Sequence, residues 1–172
     1  AILPGCALNC EAYVAGETNS TEASFPVTVG PDLTHNGGID GFVARVNAAG
    51  TALVYAGYVG GNSTDRANGI AVDSSGIAHI VGETDSDQLS FPDGLGFGSL
   101  TFSDNTHNGV IDAFVAGVDA AGTALLYASY IGGAGIDRGK GIAVDDNGDI
   151  YITGETDANS VTFPADVAIN SL

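Results

Sequence analysis

The chain repeats itself, and that periodicity limits its fold more than any single residue does. Thr34 to Asp73 reads THNGGIDGFVARVNAAGTALVYAGYVGGNSTDRANGIAVD, and Thr106 to Asp145 reads THNGVIDAFVAGVDAAGTALLYASYIGGAGIDRGKGIAVD. The second block is the first displaced by 72 positions, with 28 of 40 residues identical. A further motif occurs three times, as AYVAGETNS from Ala12, AHIVGETDS from Ala78 and IYITGETDA from Ile150. Each copy leads to a Phe-Pro pair, at Phe25-Pro26, Phe91-Pro92 and Phe163-Pro164. Self-similarity at a period of tens of residues marks an array of like supersecondary units. Fold and function therefore have to be argued from the array.

Within a unit, short apolar runs alternate with turns. Gly69 to Asp73 and Gly141 to Asp145 are brief apolar runs suited to strands buried on both faces. They stop at Ser74-Ser75-Gly76 and Asp146-Asn147-Gly148. The Gly-Glu-Thr segment follows, with Tyr13, His79 and Tyr151 at equivalent places. Beyond the Phe-Pro loop, Phe42, Ala44 and Val46 alternate with Val43 and Arg45, the period of a strand, and Ala113 to Val118 repeats the run. The segments Leu53 to Val59 and Leu125 to Ile131 complete the two units. Helical periodicity is absent. The 26 glycines sit between these runs, outside any Gly-X-Y period. That excludes collagen and suits the turns of an all-β chain. Four strands in a period of 66 to 72 residues make one propeller blade.

The pattern D-A/G-F-V-A, A-G-T-A-L-x-Y, Y-x-G-G, D-R, G-I-A-V-D, G-E-T and F-P is similar to the SBBP-type bacterial β-propeller repeat. The resemblance runs from Ala12 onward. It implies secreted or cell-surface proteins built of four-stranded blades, and it carries over no catalytic residue. The expected fold is all-β, with β-propeller-type blades of four antiparallel strands and about two and a half blades in the chain. The first blade is expected over about 1–66, the second over about 67–138 and a half-blade over about 139–172. Propellers close with four or more blades, so the array is expected to be incomplete as a closed propeller. Either it is a segment of a longer propeller or neighbouring chains complete it. Ala1 to Leu8 is expected to supply the inner strand of the first blade.

Charge narrows the partners. The chain has 21 acidic residues against four basic ones, a net charge of −17. Phosphate backbones and anionic membranes are repelled by such a surface, while cations are attracted. No segment reaches the 18 or so consecutive apolar residues of a membrane-spanning helix. The chain begins Ala1-Ile2-Leu3, as a mature protein would after signal cleavage, or as a fragment would. Cys6 and Cys10 are spaced for a local disulfide, with free thiols or a metal pair as the alternatives. A bridge implies an oxidising, extracellular or cell-surface setting. The sequons at Asn19 and Asn62 are explained as well by chance as by glycosylation.

The remaining candidates each carry an ordinary structural reading. Asp65-Arg66 and Asp137-Arg138 recur at the link between blades, where an ion pair or turn bond would fix one blade to the next; a ligand clamp is the alternative. Glu17, Glu83 and Glu155 recur in the same way. His35 and His107 lie in Thr-His-Asn-Gly turns. Asp145, Asn147 and Asp149 have the spacing of a calcium loop's first ligands. The match then fails, because the glycine is displaced and Thr156 stands where a bidentate Glu is needed. A β-turn is the favoured reading, calcium is the one cofactor considered, and Asp40 and Asp112 are weaker calcium candidates. Phe97 and Phe102, in a loop about six residues longer than its counterpart after Phe25, could face a ligand or be buried. No Ser-His-Asp or Cys-His set, phosphate loop or dinucleotide fingerprint occurs, so an enzyme is not expected. The expected function is a secreted structural protein whose copies assemble by strand or blade complementation into an extracellular filament or surface layer. In that expectation the N-terminal segment packs on the final half-blade of the next subunit. The alternative is a glycan- or protein-binding module of a larger closed propeller.

Overall fold

A computed structural model describes residues 1–100, 103–159 and 161–163. Regular structure among the described residues is all strand. The elements are β1 (Ala12–Thr18), β2 (Asp40–Val46), β3 (Leu53–Val59), β4 (Asp65–Val72) and β5 (Ala78–Thr84). They continue with β6 (Asp112–Val118), β7 (Leu125–Ile131), β8 (Asp137–Val144) and β9 (Ile150–Thr156). They form three antiparallel sheets, β1-β2-β3, β4-β5-β6-β7 and β8-β9.

The sheets are one unit cut at different points. The middle sheet is a whole four-stranded blade. The first holds the equivalents of its second, third and fourth strands, and the last holds its first and second. Registers repeat accordingly: Gly16 faces Phe42 as Gly82 faces Phe114. Ile2 bridges Ala12, the place that Val72 holds opposite Ala78. Ala1 and Tyr13 exchange backbone hydrogen bonds of 2.8 Å in both directions. These N-terminal residues are thus bonded to their own β1, at the place expected for the inner strand of the first blade. Cys6 and Cys10 are joined by a disulfide, with Cα atoms 5.7 Å apart, in the turn between Ile2 and β1.

The middle blade is stacked between the other two. β1 and β2 pack on β4, and β8 packs on β4, β5 and β6. Every residue of β5 and β6 is consequently buried; beyond Asp112, β6 reads as an unbroken run of small and apolar residues, while β5 buries the polar His79, Glu83 and Thr84 as well. The Gly-Ile-Ala-Val runs were expected to suit strands buried on both faces; in β4, packed by β1 and β2 and by β8, Ala71 and Val72 are buried and Ile70 half-buried, whereas in β8 the same run is half-buried to exposed. β4 and β8 are edge strands of their sheets. Each has a bulge, at Ala67/Gly69 and at Gly139/Gly141, which leaves Asn68 and Lys140 exposed. Asn68 uses this position to donate from Nδ2 to the Gly139 carbonyl at 2.9 Å, tying β4 to β8.

Aromatic rings fill the space between sheets, with Tyr55, Tyr58, Phe91, Phe114 and Tyr130 fully enclosed. The glycine of Gly-Glu-Thr is required there. A Cβ on Gly82 would lie 2.7 Å from Cε1 of Phe114 and would overlap the Arg66 carbonyl, and one on Gly16 would lie 2.8 Å from Cε1 of Phe42.

Candidate functional site

The sheets change between Val59 and Asp65 and again between Ile131 and Asp137, so Asp65-Arg66 opens β4 and Asp137-Arg138 opens β8. At each junction two buried aspartates from neighbouring sheets converge on one glycine. A Cβ on Gly60 would sit 2.9 Å from Asp65 Oδ2 and 3.2 Å from Asp40 Cγ. One on Gly132 would sit 2.8 Å from Asp112 Cγ and 3.0 Å from Asp137 Oδ2. Burial pushes Asp65 up to about 6 and also raises Asp40 and Asp112. Asp65 is supplied with donors: the Gly61 N–H at 2.8 Å, the Ser86 hydroxyl at 2.9 Å and the Thr84 hydroxyl. Asp137 receives the Gly133 N–H at 2.8 Å, but among the described residues its Oδ1 has no hydrogen-bond partner, nor have the Oδ1 atoms of Asp40 and Asp112.

The neighbouring arginines turn to glutamates and cross between sheets. Arg66 Nε lies 2.6 Å from Glu17 of β1, and its Nη1 lies 3.4 Å from Glu83 of β5. Arg138 Nε lies 3.1 Å from the same Glu83, and its Nη1 3.4 Å from Glu155 of β9. Lys140 reaches Glu155 at 3.4 Å. Glu83 is therefore a shared anion at the centre of a ladder through all three sheets. Its repetition was visible in the sequence; its sharing was not, because that depends on how the sheets stack.

The suggested calcium loop is a closed turn. Asp145 Oδ1 accepts the N–H groups of Asn147 and Asp149, each at 2.9 Å, and Oδ2 accepts the Tyr151 hydroxyl at 3.3 Å. The two N–H donors help hold its carboxyl below the usual range. Asp73 does the same with Ser75 and Ile77, and Gly148 and Gly76 take matching positive φ angles of 89° and 84°. A side chain spent on turn N–H groups in two repeats acts as an architectural element, the β-turn reading favoured for Asp145, Asn147 and Asp149. No group of three or more His, Cys, Asp or Glu is placed to hold a metal ion among the described residues.

His35 and His107 close aromatic boxes. His35 stands edge-on to Tyr58 at 5.6 Å, and His107 to Tyr130 at 5.7 Å. Phe25 and Phe42 complete the first box, Phe91 and Phe114 the second. Phe97 is not ligand-facing. Its ring is only 6% exposed and packs on Tyr130 at 5.2 Å, because the longer loop folds inward over the second box. Phe102 lies outside the described residues. One linkage had no local signal at all: buried His79 meets the Tyr127 hydroxyl through Nδ1 at 2.6 Å and Asp73 through Nε2 at 3.4 Å. Burial lowers its pKa, so the ring is held neutral.

A groove of about 340 Å³ opens beside β9. Ala113, Ile131, Asp137, Ile150, Ile152 and Phe163 are among its lining. In the other two sheets the equivalent edge is occupied by β2 or β6. Val14, Tyr151 and Val161 are exposed on the chain's outer strands and loops.

Stacked antiparallel sheets related by a repeat and left unclosed are partial blades of a β-propeller-type array. Residues 126–160, which span most of β7, all of β8 and β9 and the turn beyond, match the family model described as the SBBP beta-propeller repeat. Comparison with curated proteins gives no match.

Proposed function

We propose that this propeller-type module is an extracellular structural protein, without catalytic activity, whose copies complete one another's blades to form a filament or surface layer. The observation that carries this reading is the edge of β9, which among the described residues pairs with no strand but β8, and the groove beside it. An unpaired strand edge beside an apolar hollow favours strand addition, and an end-to-end contact that does not close repeats into a fibre. The disulfide fits an oxidising compartment, and no helix long and apolar enough to cross a membrane occurs among the described residues. Electron microscopy and sedimentation velocity of the purified chain test the reading. Fibres that lengthen as salt screens the net charge of −17 are the expected result. A monomer that persists at high concentration and high salt overturns it.

A second reading is a binding module of a larger closed propeller. The unclosed stack of partial propeller-type blades among the described residues supports it. Further repeats encoded in the same reading frame would decide for it.

A further inference from the structure

Among the described residues β9 pairs with β8 alone, which poses a specific question, namely which segment of another copy can fill its other edge. β1 and β9 are the same strand of the repeat, AYVAGET and IYITGET. β1 holds β2 in a continuous antiparallel register, from Ala12 opposite Val46 to Thr18 opposite Asp40. Behind β1 lies only the single bridge from Ile2. Behind β9 lies the whole of β8, paired from Val144 opposite Ile150 to Asp137 opposite Thr156. The β2-β3 hairpin therefore sits on the less complete of two equivalent seats. Moved to β9 of another copy, it would make β8-β9-β2-β3, the strand order of the middle blade.

We propose that the β2-β3 hairpin of one copy exchanges onto β9 of a second copy, in the register it now keeps with β1. This rests on the assembly reading above and names its contact. Phe42 would cross Gly154 as it now crosses Gly16, with its ring entering the groove beside Ile152 and Phe163. Gly154 carries no side chain to obstruct it, as at Gly16 and Gly82. The connection from Thr18 to Asp40 is the hinge. Its residues Thr28, Val29 and Asp32 bond to Ala56 and Tyr58 of β3 and travel with the hairpin, so the chain turns in the residues just after Thr18, and the β1 pairing that is given up is replaced by the same register on the equivalent strand β9. The arrangement leaves β1 as an edge and gives a composite blade of four strands, as in the middle sheet.

The register supplies the test. By equivalence with Val14 opposite Ala44, Ile152 of one copy faces Ala44 of the next. A chain carrying Ile152→Cys is mixed with one carrying Ala44→Cys, after circular dichroism has shown that each keeps the wild-type spectrum. The mixture is unfolded, refolded together and oxidised mildly, and products are mapped by mass spectrometry. A heterodimeric peptide joining positions 152 and 44 is the expected product, and Tyr151→Cys mixed with Ala44→Cys, one residue out of register, should give far less. A second pair, Thr153→Cys with Val43→Cys, repeats the test should the first fold poorly. Equal yields in and out of register, or no cross-link in either matched pair, overturn the exchange. Fibres without the cross-link overturn the exchange and keep the assembly reading. Cross-linked closed dimers that never form fibres support the exchange and overturn the filament.

Discussion

Ser86 donates its hydroxyl to Asp65 across 2.9 Å, while at the matching place beside Asp137 the chain carries Ala158. Asp65 also accepts the Thr84 hydroxyl, so among the described residues Asp137, with the Gly133 N–H alone, lacks two side-chain donors that its counterpart has, and Ser86 accounts for one of them. Ala158→Ser should restore a donor to the buried carboxylate and stabilise the β8-β9 hairpin by about 1 kcal/mol. Urea denaturation of the variant checks this, and an unchanged midpoint would show that Asp137 has no use for the donor.

Asp65 leads to a pH dependence. Its folded value of about 6 is raised from 3.8, chiefly by burial. Between those values the folded chain holds a proton that the unfolded chain has released. Stability therefore falls as pH rises through this window and stays lower above it. Asp32, raised to about 6 for the same first reason, acts in the same sense. The thermal midpoint should be higher near about pH 5 than near about pH 7.5. Asp65→Asn should flatten part of that slope; an unaltered slope would place the effect on other groups.

The ladder through Glu83 should be non-additive. Arg66 and Arg138 keep roughly a third of their side-chain surface in water, so each alone should be worth no more than about 1 kcal/mol. Removing both leaves the nearly buried Glu83 with Lys140 at 3.8 Å as its remaining ion pair. The double variant Arg66→Ala, Arg138→Ala should cost more than the two single variants added together. A strictly additive cycle would mean that the arginines do not share Glu83 in solution.

The disulfide should act locally. A loop closed over four positions gains about 2 kcal/mol at most from restricting the unfolded chain. Cys6→Ser with Cys10→Ser should lower the thermal midpoint slightly and speed hydrogen exchange at the Tyr13 amide, which is bonded to Ala1. Exchange accelerated equally in β5 and β6 would contradict a local role. In the unmodified protein, mass spectrometry without reduction should find neither thiol open to alkylation.

Much of the architecture was legible because the repeat sets it. The alternation of Phe42, Ala44 and Val46 marks β2, and the shift of 72 positions carries the same assignment to β6. What escaped depends on neighbours distant in sequence. Which strands are doubly buried is decided by the stacking of sheets, which the run Gly-Ile-Ala-Val does not encode. Asp-x-Asn-x-Asp spacing suits both a cation loop and a turn closed on its first aspartate, and only the N–H groups reaching Asp145 distinguish them. Phe97 sits among glycines without periodicity, so its direction could not be read. His79 and Tyr127 are 48 positions apart and share no local pattern.

The placement of the basic residues bears on survival against trypsin-like proteases. Arg45 lies in β2, Arg66 in β4, and Arg138 and Lys140 in β8, and these are the four basic side chains of the whole sequence. A trypsin-like protease needs an extended, accessible segment around such a residue, and loops supply those far more readily than paired strands do. Here every bond it could recognise is held inside a sheet. Cleavage must wait for a strand to open, so the lifetime of the protein in a proteolytic medium is set by the opening of its own blades and not by the exposure of its loops.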